Sequence, residues 1–330
     1  MIEDRVASLP LSPLAQKMHS FFKKCGFSNS LSGPFLLGYS GGPDSKALLY
    51  LLLECQKKIG FELCLAHVDH GWREESAREA KEIASEAADL KLRCFFHKVE
   101  HCATKNMEAE GRRERLAFFQ EVYKKIGAEA LLLAHQADDQ AETILKRVLE
   151  GSHPINWSGI AGDAQIEGMR VLRPLLGVSK KELLDWLQEG KRIPFEDPTN
   201  SDPRFLRGRM RGQILPTLSN LFGKEVSVNL CKMGSIASEM DAYLKKKCAR
   251  HWENWHCLEG RIEWDLSEVQ ESLELRWLLK MWAQKLGVHV SYDTLQLLID
   301  GLQNKVAGKR FPLKGGEVRL NGGHFEFVFI

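Results

Sequence analysis

From residue 34 onward the chain alternates apolar runs of strand length with amphipathic stretches of helix length, four times in succession. No other feature restricts its fold as much. PFLLGY (34–39) leads to a helix over about 43 to 58, and FELCLAHV (61–68) to EESAREAKEIASEAADL (74–90). LRCFFHKV (92–99) then leads to EAEGRRERLAFFQEVYKKIG (108–127), and EALLLAH (129–135) to ADDQAETILKRVLEG (137–151). Units of this kind predict a doubly wound, mostly parallel α/β sheet with helices on both faces, because each crossover must return to the same edge direction. Ligands of such sheets gather beyond the carboxyl ends of the strands. The residues just after each apolar run are therefore the ones to read for chemistry.

The remainder is organised differently. MRVLRPLL (169–176) and SKKELLDWLQEG (179–190) extend the first domain, which is expected to close near residue 215. Residues 216–330 predict a smaller α+β domain. It has helices over 226–248, near 268–286 and over 292–303, and a final hairpin within RFPLKGGEVRLNGGHFEFVFI. A length of 330 residues suits two such domains. No apolar run reaches bilayer length, and MIEDRVASLPLSPLAQ lacks the pattern of a secretory signal, so no membrane association and a cytoplasmic location are expected. The eight cysteines occur singly, without C-x-x-C, which fits a reducing compartment better than zinc ligation or a disulfide framework. A formal net charge of +2 leaves any anionic partner to be held by local patches.

Three polar clusters fall at strand ends. SGGPDS (Ser40, Gly41, Gly42, Pro43, Asp44, Ser45) follows the first run. Glycines there let backbone N–H groups point at an anion, and proline suits the first position of a helix whose positive end faces the same anion. Asp44 beside a phosphate is repulsive unless a cation lies between them, which points to Mg2+. A glycine-rich turn with Asp44 and Ser45 capping the helix is equally consistent with these six residues. HVDHG (His67 to Gly71) ends the second strand, and AHQADDQAET (Ala134 to Thr143) the fourth. Asp138 and Asp139 suit a helix N-terminus on dipole grounds alone, and also resemble a magnesium site. His67, His70 and His135 lack the companions of a zinc site and are read instead as nucleotide contacts or pocket structure.

Basic residues recur outside the strand ends. Arg112 and Arg115 lie three apart on one helix face, and RFLRGRMR packs Arg204, Arg207, Arg209 and Arg211 together without an acid, a field suited to phosphate. Lys245, Lys246 and Lys247 form a second basic run. Trp252, Trp255, Trp264, Trp277 and Trp282 are assigned to the core rather than to base stacking.

In order, SGGPDS, HVDHG, EGRRERLAFF, AHQADDQAET, RPLL and EDPTNSDPRFLRGRMR resemble the motifs of the PP-loop ATP pyrophosphatases (adenine nucleotide alpha hydrolase-like), and most closely those of the tRNA(Ile)-lysidine synthetases, over roughly residues 34 to 216. The resemblance implies ATP-dependent attachment of L-lysine to C2 of the wobble cytidine of tRNA(Ile) with a CAU anticodon, through an adenylated base. It implies ATP as co-substrate and Mg2+ as cofactor. It gives Ser40, Gly41, Gly42, Pro43, Asp44 and Ser45 the phosphate role, with His67 and Arg115 at the nucleotide. It gives Asp44 and Asp139 the metal, with Asp138 the competing choice, and places Arg112, Arg207 and His135 at the reacting groups. Residues 216–330 take the role of positioning tRNA. A homodimer is left open. The chain departs from the family pattern at Ala134-His135-Gln136, where Gly-His-His is common, at Leu116 in place of Tyr and at Gly208 in place of Asn. A tRNA thiolase would need reactive cysteine pairs, which the sequence lacks. A non-catalytic tRNA-binding protein on the same fold would have little reason to keep clustered carboxylates, which are costly without a cation.

Overall fold

The computed structural model describes residues 10–27, 33–69, 76–99, 107–195 and 206–330. His70, Arg204 and the stretch EDPTNSDP lie outside the described residues. The chain divides into two compact units: Met1–Ser152 with Gly159–Gly234, and His153–Ser158 with Ser235–Ile330. The short segment 153–158 thus belongs with the C-terminal part, a threading that no local sequence signal marks.

In the first unit, α1 (Pro13–Lys24) precedes β1 (Phe35–Gly38), α2 (Pro43–Ile59), β2 (Leu63–Asp69) and α3 (Ser76–Asp89). The chain continues through β3 (Arg93–Lys98), α4 (Met107–Ile126), β4 (Ala130–Leu132) and α5 (Ala137–Leu149). β5 (Asp163–Ile166), β6 (Met169–Leu172) and α6 (Lys180–Glu189) follow. The sheet order is β3-β2-β1-β4-β6-β5, parallel except for β5. Strands buried on both faces need apolar residues at every position, hence continuous runs instead of alternation. Phe35 and Leu37 enter one core with α1, α2 and α6, while Leu36 enters the opposite core with Phe118, Phe119 and Val122 of α4.

Two elements of the first unit escaped the sequence reading. Helix α1 starts at Ser12, whose hydroxyl accepts from the Ala15 amide, and Pro13 at its first turn marks the same start. Strand β5 is a polar edge strand joined to β6 by Glu167 and Gly168, both at positive φ, so it carries no apolar run to betray it.

The strand order turns back on itself between β1 and β4. Their neighbouring carboxyl ends form a topological switch point, where crossovers diverge and leave a crevice. After residue 205 a helix runs through Leu206–Arg209, a π-helical stretch Met210–Ile214 and Leu215–Phe222; we call it α7.

Helix α8 (Val226–Glu253) leads into the second unit, where β7 (Trp255–Leu258), β8 (Arg261–Asp265), α9 (Ser272–Leu286), α10 (Tyr292–Gln303), β9 (Ala307–Leu313), β10 (Gly316–Asn321) and β11 (His324–Phe329) follow. The five strands form an antiparallel sheet ordered β7-β8-β11-β10-β9. This corrects the expectation of a single final hairpin: the chain end is a three-stranded meander, and β7-β8 adds a further hairpin. Residues 307–310 are exposed on an edge strand, so β9 lacks the alternation that marks a strand in sequence. Trp264, Trp277 and Trp282 are buried among Phe325 and Phe327, as expected of core residues. Among the described residues no helix is long and apolar enough to cross a membrane.

Candidate active site

The loop after β1 is built from its own polar atoms. Gly41 has φ +75°, a conformation few side chains adopt, and a Cβ there would sit 2.3 Å from Cδ2 of Phe195. The Phe195 amide donates to the Gly41 carbonyl at 3.0 Å, so one segment packs on both backbone and side-chain faces of the glycine. The Ser45 hydroxyl donates to the Gly42 carbonyl at 3.0 Å, and its oxygen lies 3.3 Å from the Ser40 amide and 3.0 Å from the Ser40 hydroxyl. Helix α2 is capped by Gly42 with no side-chain hydrogen bond, and Pro43 occupies its first turn. Asp44 therefore does not cap the helix, and the amides of the first turn stay available to an anion.

Lys46, one residue beyond the motif, does not reach this cradle. It is buried, with Nζ 2.9 Å from the Ile193 carbonyl and 3.2 Å from Glu86 Oε1. Glu86 also accepts from the hydroxyls of Tyr39 at 2.6 Å and Tyr50 at 3.0 Å. This network holds the segment before Phe195 against α2 and α3.

Carboxylates from the first turns of α2 and α5, the helices that follow β1 and β4, act on one another across the switch point. Asp44 Oδ1 accepts from Lys180 Nζ at 2.7 Å, and Asp139 Oδ1 accepts from Arg211 Nη2 at 2.9 Å. Arg211 Nε also donates to Glu142 Oε1 at 2.8 Å, where Glu142 is only 3% exposed. Gln136 forms a capping box at the start of α5: its side-chain oxygen accepts from the Asp138 amide at 2.6 Å, and Asp139 Oδ2 accepts from the Gln136 amide at 3.0 Å. Asp139 thus serves the helix start and the acidic cluster at once. Burial raises the pKa of Asp44 despite Lys180, and the nearby charge of Asp139 adds to the rise. Asp138 is raised by burial against Arg211, with Asp139, Glu225 and Asp44 reinforcing it.

These acids remain short of positive charge even with a lysine and an arginine beside them. That deficit, on hard oxygen ligands, fits a divalent cation sharing the site with phosphate oxygens. Among the described residues no three His, Cys, Asp or Glu side chains are gathered as a ready cage.

A second cluster surrounds His135. Its Nδ1 is buried without a partner, and its pKa is brought down to about 4, chiefly by burial. Arg173, Arg207 and Arg115 lower it further, while Asp139 opposes them. Arg173 is buried, donates from Nη1 to the Ala161 carbonyl at 2.7 Å, leaves Nε without a partner, and is itself affected by the charge of Arg112. Arg115 from α4, Arg173 after β6 and Arg207 from α7 thus act on one neutral imidazole, and Arg112 acts on Arg173.

His67, at the end of β2, donates from Nδ1 to the Tyr39 carbonyl at 2.9 Å, which leaves Nε2 as an acceptor; burial lowers its pKa. It is buried and joins no metal group among the described residues.

Sequence reasoning missed Lys180, Phe195, Glu142 and Arg173 as site residues. It also read RFLRGRMR as an unopposed basic field, whereas Arg211 is paired with two acids contributed by α5. Arg173 lies inside the RPLL motif, the one signal that could have drawn attention to it. Lys180 and Phe195 carry none.

The fold and site define a protein of the PP-loop class, and the family profile described as PP-loop domain matches residues 10–218. The chain is 35% identical over 278 residues to the tRNA(Ile)-lysidine synthase of Chlamydia pneumoniae, covering 81% of this chain and 84% of that one. It is 34% identical over 322 residues to the same enzyme of Chlamydia felis, covering 92% and 97%. The chain belongs to the tRNA(Ile)-lysidine synthase family. Its fold is also similar to that of the U34-tRNA thiolase NcsA from Methanococcus maripaludis, with a TM-score of 0.55 at 16% identity over 67% of this chain and 76% of that one.

Proposed function

We propose that this site joins L-lysine to C2 of the wobble cytidine in tRNA(Ile) bearing a CAU anticodon, in two steps that consume ATP. In the first, cytidine O2 forms a bond to the α-phosphorus as the bond from that phosphorus to the bridging oxygen breaks, and pyrophosphate leaves. In the second, the lysine amine attacks C2, loses a proton, and the C2–O2 bond breaks to release AMP.

The residues divide the work by position. Amides of the Gly41–Asp44 turn, with Ser40 and Ser45 fixing its shape and Pro43 opening the helix, hold the phosphate chain as charge accumulates on the departing pyrophosphate. Asp44 and Asp139 would hold Mg2+, with Asp138 the alternative ligand; the ion supplies charge neutralisation to the phosphate oxygens. Arg112, Arg115, Arg173 and Arg207 bind the α-phosphate or the adenylated base. His135, kept neutral by burial and by Arg173, Arg207 and Arg115, orients the nucleotide through hydrogen bonding and carries no charge of its own. His67 contributes its free Nε2 to the nucleotide pocket. An anticodon loop presents its base already partly unstacked, which makes access to O2 and C2 inexpensive. Residues 216–330 position the tRNA.

The observation that carries this proposal is the approach of the turn after β1 and the carboxylates that open α5 at one switch point, with Asp139 acting on both Asp44 and His135. The deciding experiment incubates the protein with ATP, Mg2+, labelled lysine and CAU-anticodon tRNA(Ile). Label appearing in RNA only when both ATP and tRNA are present supports the proposal; ATP-dependent pyrophosphate release with no label in RNA would overturn it.

A further inference from the structure

In the second unit, Arg276 and Lys280 form no ion pair with an acid among the described residues. Arg276 and Lys280 are one turn apart on α9 and so share a face. Arg276 Nη1 is buried and lacks any hydrogen-bond partner. Its Nη2 donates to Gln296 Oε1, and the guanidinium lies 5.4 Å from the ring centre of Tyr292, which fixes its plane. The neighbouring acid on α10, Asp300, is engaged by Gln296 Nε2 at 2.8 Å. His153, in the segment that threads into this unit, lies within electrostatic reach of both cations. Its Nδ1 accepts from the Ile155 amide at 3.3 Å, so the ring proton sits on Nε2. The three side chains thus present an ammonium, a free guanidinium N–H and an imidazole N–H.

Electrostatics agree with the geometry. Burial and then Arg276 lower the pKa of Lys280. Burial and then Lys280 and Arg276 bring His153 down to about 4. No carboxylate enters either balance. The basic run at Lys245–Lys247 differs, because Lys247 Nζ is paired with Glu274 at 2.5 Å. Half-buried like charges without a counter-ion are destabilising on their own, and a tetrahedral oxyanion accepting from all three donors would remove that cost.

We propose that His153, Arg276 and Lys280 form an anion site that takes a phosphate of an RNA backbone. The choice of RNA rests on the lysidine-forming reading above; the anion chemistry does not. A phosphate held here anchors tRNA by its backbone without reading sequence.

The test uses the full chain and its Lys280→Gln and Arg276→Gln variants, with tRNA binding measured at several salt concentrations. Each phosphate contact contributes about one to the slope of log affinity against log salt. Lys280→Gln is expected to weaken binding several-fold at low salt and to flatten that slope by about one, while the KM for ATP stays unchanged. Should Arg276→Gln fail to fold, Lys280→Gln decides alone, its fold checked by circular dichroism. An unaltered slope in folded Lys280→Gln overturns the proposal. In a second arm, inorganic phosphate is titrated against the His153 ring signal by NMR. A shift present in the parent protein and lost in Lys280→Gln supports the anion site. If phosphate moves the signal while the tRNA slope is unaltered, the assignment to RNA is overturned. Missing lysine incorporation alongside a flattened slope sinks the lysidine reading and leaves this site standing; intact incorporation with an unaltered slope sinks this site alone.

Discussion

Lys180 Nζ and Asp44 Oδ1 lie 2.7 Å apart, although one begins α6 and the other lies in the first turn of α2. The lysine offsets part of the burial cost of a carboxylate that already feels Asp139. Lys180→Met removes that offset, so the pKa of Asp44 is expected to rise further, because the adjacent opposite charge that holds it down is lost. The acidic limb of the pH profile for pyrophosphate release then moves to higher pH. An unmoved limb would separate Lys180 from the working ionisation of Asp44.

Arg211 ties Asp139 to the buried Glu142. Arg211→Met leaves Glu142 buried and uncompensated, which is expected to cost about 2–4 kcal/mol of stability, since the arginine itself is partly exposed. Adding Glu142→Gln should recover a large part of the loss, because a neutral amide needs no counter-charge. Urea denaturation midpoints of the two single variants and the double variant measure the coupling.

His135 sets an acid sensitivity. Its folded pKa of about 4 lies below the ordinary value of 6.5, so the unfolded chain takes up the proton first as pH falls. The stabilising contribution of the neutral ring is complete above about pH 6.5 and is lost progressively towards pH 4, to the extent of about 2–3 kcal/mol. His135→Asn, which cannot titrate, should lose less stability over that interval than the parent. Parallel thermal melts between pH 7 and pH 4.5 check the difference.

Gly41 combines a left-handed backbone with a ring pressed against its missing side chain. Gly41→Ala is expected to cost about 1–2 kcal/mol from φ alone, plus whatever is needed to displace Phe195. Adding Phe195→Ala should remove the second part and leave the first. Melting temperatures of the two variants and their combination, together with the KM for ATP, distinguish these contributions.

The α/β repeat was legible because two-faced burial forces unbroken apolar runs, and FLLG, LCLAHVD and ALL are such runs. Candidate residues at SGGPDS and AHQADD were legible because strand ends are where this architecture places ligands. Lys180, Phe195, Arg173 and the Glu142–Arg211 pair were not. Each acts through a contact between segments far apart in the chain, and neither periodicity nor local composition records such a contact. The meander at the chain end was hidden for another reason: an exposed edge strand such as β9 has no buried face to impose a pattern on its sequence.

The pairing of Leu37 with Leu132 brings together two stretches that leave the ribosome far apart in time. While the chain is being made, the glycine turn emerges well before the acids that work with it, and neither half alone offers a nucleotide a complete grip. The glycine turn and the acids at the start of α5 therefore share one site only once the fourth strand lies beside the first, a contact between segments distant in the chain.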